Sequence, residues 1–435
     1  MTPLDAATLR VHPASNVPKG YKHTEVGMIP ETWDVFSLGE LLAFQNGVNA
    51  DKQHYGRGIP FANVLEVITH THLTAASIPG RVQLAAHHQE GYSVKSGDIL
   101  FNRTSETQDE IGLASVYVGD EPIVFGGFVI RGRPVSDQLH RRYAGWGLRG
   151  PTVRDQIIAR GQGAIRANIG QADLRTVIVP LPALAEQETI ANALSDANAL
   201  IEGLENLIAK KRAIKQGAMQ ELLMGKRRLP GFAGAWIPRR LADSAIVKAR
   251  IGWQGLTTAE YLEMGQFYLV TGTEFHDGQI AWSECHYVDQ RRFSQDPNIQ
   301  LRPRDVLVTK DGTIGKVAYV SELSLSATLN SGVFVVRPRD EAFVPEYFSR
   351  VLQSEIFTDF LARLSAGSTI NHLYQKDFVH FTFDCPPSSE EQTAIASILT
   401  DMDDEISTLD AKLAKARQVK QGMMQELLTG RIRLV

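Results

Sequence analysis

The residue combinations that most often carry chemistry occur in this sequence only in broken form. Gly315-Lys316 supplies the end of a phosphate-cradling loop, but Val317 follows where a hydroxyl should bind a metal ion. Lys310 stands where that loop's first glycine should be. Gly161-x-Gly163 is followed by Arg166 in place of the third glycine of a dinucleotide fingerprint. No HExxH and no Asp/Asn-Pro-Pro-aromatic methyltransferase motif occurs. His87-His88 has no partners at metal-ligand spacing and reads as a surface pair. Asp410-Ala-Lys412 looks like part of a nuclease motif but falls inside a long helical repeat. Cys285 and Cys385 are too few for a disulfide framework and read as buried free thiols in a reducing cytoplasm. The expectation is a chain that binds rather than reacts, with no catalytic residue, metal or cofactor of its own.

The chain has 435 residues, enough for two to four folded units, with 43% hydrophobic and 22% charged residues, an ordinary globular balance. Asp5 and Arg10 interrupt the N-terminus, so no secretory leader is expected there. The longest uncharged apolar stretch, Thr176 to Ala185, contains Pro180 and Pro182 and is far short of a membrane span. A soluble, cytoplasmic protein is expected. A net charge of −4 argues against a generically basic nucleic-acid binder but leaves room for a local basic face. Two stretches offer one: Arg141, Arg142, Arg149, Arg154, Arg160, Arg166 and Arg175, and a second set of Arg291, Arg292, Arg302, Arg304, Lys310 and Lys316.

What must position these side chains is set by an internal repeat. Residues 186–229 align without a gap to 391–434, and 22 of the 44 pairs are identical. Apolar residues recur at Ile190, Leu194, Ala197, Ile201, Leu204 and Ile208. They recur again at Ile395, Leu399, Met402, Ile406, Leu409 and Leu413, in steps of four and three, the seam of a coiled coil. Prolines precede each helix, at 180–182 and 386–387, and Gly225 and Gly430 end them. A helix of about 40 residues is roughly 60 Å long. Each seam needs a partner, and an antiparallel pairing of the two copies supplies it. The near-identical ends, KQGAMQELLMG and KQGMMQELLTG, make Met219, Leu222, Leu223, Met424, Leu427 and Leu428 candidates for a docking face repeated twice, fit for two copies of one partner.

The segments before the helices share only signposts. Trp33 and Trp236 precede Leu38 and Leu241; Gly97-Asp98-Ile99-Leu100 matches Arg304-Asp305-Val306-Leu307. Phe128–Arg131 matches Phe334–Arg337, and Gly163 lies ten residues before Asp173 as Gly367 does before Asp377. Short β-branched runs between glycine turns predict strands, and short helices fit Pro345–Leu364 and Arg141–Arg160. The fold expected is α+β: two similar domains with mostly antiparallel, twisted sheets, separated by two long antiparallel coiled-coil helices in a pseudo-two-fold tandem repeat. Boundaries fall at 1–30 for an N-terminal tail, 31–180 and 231–385 for the domains, and 181–230 and 386–435 for the helices. One fold with diverged surfaces, displayed twice on a rigid ruler, suits the reading of two half-sites on duplex DNA.

Those residues resemble a known family. YKHTEVGMIPETW (21–33), PLPALAEQETIA (180–191), PPSSEEQTAIA (386–396), both QELLxG ends, GDIL (97–100) and LVTKDGTIGKVAYV (307–320) are similar to the specificity subunit of type I restriction-modification systems, along nearly the whole chain. The resemblance implies two target recognition domains, each reading half of a bipartite, asymmetric site. It implies helices that hold two modification subunits, which carry S-adenosylmethionine and methylate adenine N6, and a restriction subunit that joins them. The first domain departs from the pattern at Gly161-Gln-Gly-Ala-Ile, where the second has Gly367-Ser-Thr-Ile.

Base reading in the major groove needs bidentate groups, Arg or Lys on guanine and Asn or Gln on adenine. The candidates are Gln45, Asn46, Asn49, Arg57, Asn102 and Arg103 in the first domain, and Gln254, Lys310, Asp311, Thr313 and Lys316 in the second, with Gly312 and Gly315 allowing close approach to the DNA. The alternative is a coiled-coil adaptor that scaffolds two copies of a partner protein without touching DNA.

Overall fold

The computed structural model describes residues 17–163, 166–365 and 372–434. The N-terminal residues 1–16 lie outside these, as do Ala164 and Ile165 of the first glycine-rich turn and Gly367-Ser-Thr-Ile370 of the second. The chain forms two compact units that do not follow chain order: residues 17–204 with 412–434, and residues 205–411.

In the first unit, strands β1 (Leu42–Asn46), β2 (Ile99–Asn102), β3 (Ala114–Tyr117) and β4 (Val129–Pro134) lie in the order β1-β4-β2-β3, all antiparallel, with His72–Leu73 added parallel to β3. A second sheet pairs Tyr55–Ala62 in parallel with Ile123–Phe125. All four residues of β2 are buried, as expected of a central strand covered on both faces. The helical segment 141–160 is two helices, α1 (Arg141–Gly147) and α2 (Pro151–Arg160), restarted by a proline in the first turn. Trp146, Val153 and Ile157 pack with Phe101, Ala114 and Ile130. The long helix α3, Leu184–Leu223, follows.

The second unit repeats the plan. Strands β5 (Ala245–Ala249), β6 (Val306–Thr309), β7 (Val317–Tyr319) and β8 (Val333–Pro338) lie in the order β5-β8-β6-β7. Beside them Phe267–Val270 pairs in parallel with Ser326–Leu329. Helices α4 (Pro345–Leu352) and α5 (Glu355–Leu364) cover the sheet, α5 starting at the Ser354 cap, and α6 (Ser389–Leu427) closes the chain. Its core is rich in phenylalanine: Phe343, Phe348, Phe357, Phe378, Phe381 and Phe383.

Strand pairing corrects one sequence match. Val129 lies opposite Asn102 and Val333 opposite Thr309, so the counterpart of Arg337 is Arg133, not Arg131. The chemistry agrees. Arg133 grips Asp98 at 2.9 and 2.7 Å, and Arg337 grips the matching Asp305 at 2.6 and 2.7 Å. The match by letters was out by two residues, which leaves every side chain on its original face of the strand, so alternation could not expose it.

The heptad seam is buried at Ile190, Leu194, Ile201 and Ile208 and at Ile395, Leu399, Leu409 and Leu413. Within each unit the helix segments run antiparallel. In the first, Lys420 donates to Asn198, and Arg433, beyond the end of α6, holds Glu186 near the start of α3. In the second, Lys211 pairs with Glu405 at 2.6 Å, Lys215 with Asp403, and Arg228 holds Glu391 at 2.7 Å. Glu186 and Glu391 are equivalent in the repeat, so one contact is made twice. Each is aided by a tryptophan beneath its arginine, Trp33 or Trp236, with 5.9 Å between guanidinium and ring.

This arrangement corrects the reading of the helix tails. Leu427 and Leu428 are buried in a core with Trp33 and Trp146, and Leu222 and Leu223 in one with Tyr347 and Phe348. These four leucines fasten each tail to a recognition domain and are not free to dock a partner. Only Met219 and Met424 stay half-exposed.

Candidate nucleic-acid interface

The sheet gathers sequence-distant residues at one end. β4 is antiparallel to both neighbours, so its first residues lie beside the last residues of β1 and β2: Asn46 faces Ile130 and Asn102 faces Val129. Asn46, Asn49 and Arg103 are therefore brought to one rim. The other end of β4 leads to His140, whose N–H donates to Gln187 of α3 at 2.8 Å. The second domain does the same. Ala249 faces Phe334 and Thr309 faces Val333, which gathers the residues after β5, the loop after β6 and residues 330–332. Beyond the other end of β8, Val344 N–H donates to Gln392 of α6 at 2.7 Å.

The two rims share one backbone scaffold. Arg103 N–H donates to Phe128 O at 2.9 Å, and its carbonyl accepts from Ile169 N–H at 3.0 Å. Lys310 N–H donates to Gly332 O, and its carbonyl accepts from Leu373 N–H, both at 2.8 Å. A basic residue is thus held at the same point of both domains, with its backbone groups satisfied on either side and its side chain left to vary. Arg103 is exposed; Lys310 is half-exposed, with its ammonium 5.4 Å from the Phe334 ring.

The remaining candidates divide. Asn46, Asn49, Arg57 and Thr313 are exposed. Gln45 is half-buried and committed internally: it accepts from Arg131 and donates to Gly91 O at 3.1 Å. Asn102 is corrected from base reader to loop former, being fully buried, with its amide donating to Glu110 O at 3.1 Å and accepting from Thr104 N–H at 3.2 Å. Gln254 is also buried. Asp311 pairs with His372, and Lys316 enters β7 with its N–H on Thr309 Oγ1 at 2.9 Å. Gly312 sits in open space. Gly315 does not, because it has φ +81 and an added Cβ would lie 2.4 Å from Leu361 Cδ1. Its job is to let the loop pack on α5, as Gly112 does against Ile157.

Sequence reasoning missed His372, Tyr374 and Lys376. The Tyr374 ring lies 4.4 Å from His372 and 5.4 Å from the Lys376 ammonium, next to Lys310 through the Leu373 bond. Alternating basic and aromatic residues were the available signal. The arginine-rich stretch 141–175 is not a basic face throughout. Arg149 is turned inward onto the carbonyls of Val67, His70 and Ala114 at 2.6, 2.7 and 2.6 Å, and burial lowers its pKa to about 10. Arg154 is buried against Asp109 O at 2.9 Å. Both Cys285 and Cys385 are buried, and burial pushes the Cys285 thiol up to about 12. Among the described residues no helix is long and apolar enough to cross a membrane.

The family model for the type I restriction modification DNA specificity domain matches residues 30–211 and 287–417, most of the chain. The chain belongs to this family. As a specificity-subunit homologue it is similar to the type I restriction enzyme MjaX specificity-subunit sequence of Methanocaldococcus jannaschii, 24% identical over 429 residues and covering 96% of this chain and 97% of that one. It is also similar to the EcoBI specificity subunit of Escherichia coli, 20% identical over 391 residues, 84% of this chain and 78% of that one. The fold matches the crystal structure of the type I restriction-modification S subunit from M. genitalium with a TM-score of 0.58. That match has 16% identity and covers 91% of this chain and 96% of that chain.

Proposed function

We propose that this specificity-family chain reads a bipartite, asymmetric DNA site, one half with each recognition domain. It positions two copies of an adenine-N6 methyltransferase subunit that bring the S-adenosylmethionine, and a restriction subunit joins them in the cytoplasm. The chain itself performs no chemistry. The observation that carries this reading is the duplicated rim: one backbone scaffold, built twice, that presents Arg103 with Asn49 in one domain and Lys310 with Asp311 and Tyr374 in the other. The loops differ as well: each is closed by the same glycine N–H bond, Gly112 to Asn102 O and Gly315 to Thr309 O, but nine residues lie between Asn102 and Gly112 and five between Thr309 and Gly315. A scaffold kept constant while its heads diverge suits recognition of two different base sequences.

Co-expression with the neighbouring methyltransferase gene product, followed by mapping of methylated adenines across the host genome, tests this. One motif with two specified halves around a fixed gap is the expected result. A stable complex that adds no methylation would favour the adaptor instead.

A further inference from the structure

Phe128 is 60% exposed, yet it sits on a turn held by several backbone hydrogen bonds. Val129 N–H donates to Gly126 O at 2.9 Å, closing the turn, and Gly126 N–H donates to Ala62 O at 3.0 Å. Arg103 N–H holds Phe128 O at 2.9 Å, and Gly47 N–H holds Val129 O at 3.1 Å. The turn is also close-packed: a Cβ on Gly127 would lie 2.1 Å from Asn49 Oδ1, and one on Gly126 2.7 Å from Asn63 Oδ1. A lone exposed apolar side chain is ordinary. This one is an aromatic ring on a fixed turn whose Gly127 meets both an exposed amide, Asn49, and an exposed guanidinium, Arg103, which donates to Gly127 O at 3.4 Å. In the second domain the same backbone position is Gly332, which has no ring to offer.

We propose that Phe128 is a wedge for the first half-site, entering a base step and stacking on an opened base while Arg103 and Asn49 hold the neighbouring base edges. This rests on the DNA-reading function above. Apolar wedges of this kind open base steps and kink duplexes, and stacking of a base on an aromatic ring does not depend on the base's identity. Phe128 is thus a positioning residue: it fixes register and distortion, and the polar groups select the bases. With glycine at the equivalent point, the second half-site is read without such a wedge.

The test uses the complex of the full chain with its methyltransferase partner on a duplex carrying the mapped site, with 2-aminopurine placed in turn along both halves. Fluorescence should rise at one step of one half, apart from the target adenines that the methyltransferase extrudes from both. Phe128→Ala should abolish that one signal and weaken specific binding roughly tenfold to a hundredfold, leaving extrusion in the other half intact. Phe128→Trp should restore it. An unchanged signal and affinity in Phe128→Ala, or an equal extra signal in both halves, would overturn the wedge while leaving the DNA-reading function standing. Absence of sequence-specific binding by the wild-type complex would overturn the reading function and the wedge with it.

Discussion

Leu428→Ala separates a fastening role for the helix tail from a docking role. Leu428 is 4% exposed, and its side chain lies within 3.3 Å of the Cβ position of Gly150, in a core that includes Trp33 and Trp146. Truncating a leucine so placed removes its burial and leaves a cavity, at a cost of about 2–5 kcal/mol. For a folding unit of roughly 200 residues that lowers the melting temperature by about 4–20 °C. The assay is differential scanning calorimetry on the isolated chain, with Met424→Ala as the half-exposed comparison, expected to cost much less. A leucine waiting for a partner would behave otherwise: its truncation would leave the isolated chain's melting within about a degree or two, since exposed substitutions change stability by only ±0.5 kcal/mol or so. An unchanged melting curve together with lost partner binding would refute the assignment of these leucines to the core.

Other expectations follow from the same geometry. Gly315→Ala should destabilise the second unit by more than about 1 kcal/mol, because the position combines φ +81 with a 2.4 Å clash on Leu361, read as a shift in the denaturant midpoint. Lys310→Ala should weaken specific DNA binding by roughly 1–3 kcal/mol and relax the target at one position, seen as altered methylated motifs; an unchanged motif and affinity would remove Lys310 from the interface. His72 has its pKa lowered by burial against its ordinary 6.5, despite its hydrogen bond to Arg142 O at 2.9 Å. It is therefore neutral in the fold at a pH where the unfolded chain binds a proton. The stability it supports is complete above about pH 6.5 and falls as pH drops from there toward the lower folded value. His72→Gln should flatten that part of the melting-temperature profile, and an identical slope in both proteins would show that the acid loss arises elsewhere.

Much of the fold was legible because its signals are local and repeated. The heptad seam and the 205-residue offset need no tertiary knowledge, since periodicity fixes which helix face is apolar and identity fixes the duplication. The doubled α+β plan followed from the signposts shared by the two domains. What stayed hidden depended on where chains meet. Asn102 and Arg103 are adjacent letters with opposite fates, because Asn102 ends a strand buried on both faces and its amide is taken up by Glu110 O and Thr104 N–H of the loop, whereas Arg103 lies beyond the strand and stays exposed. Arg149 looked like surface charge until α1 brought it over the open carbonyls of Val67 and His70, whose hydrogen-bonding demand outweighs hydration of the guanidinium. Glu186 with Arg433, and Leu428 with Trp146, lie hundreds of residues apart in sequence. By itself, then, the sequence determined the repeat, the apolar faces and the family resemblance. Only the tertiary structure decided which polar groups remain free at the rims, because hydrogen bonding and burial are settled by neighbours in space.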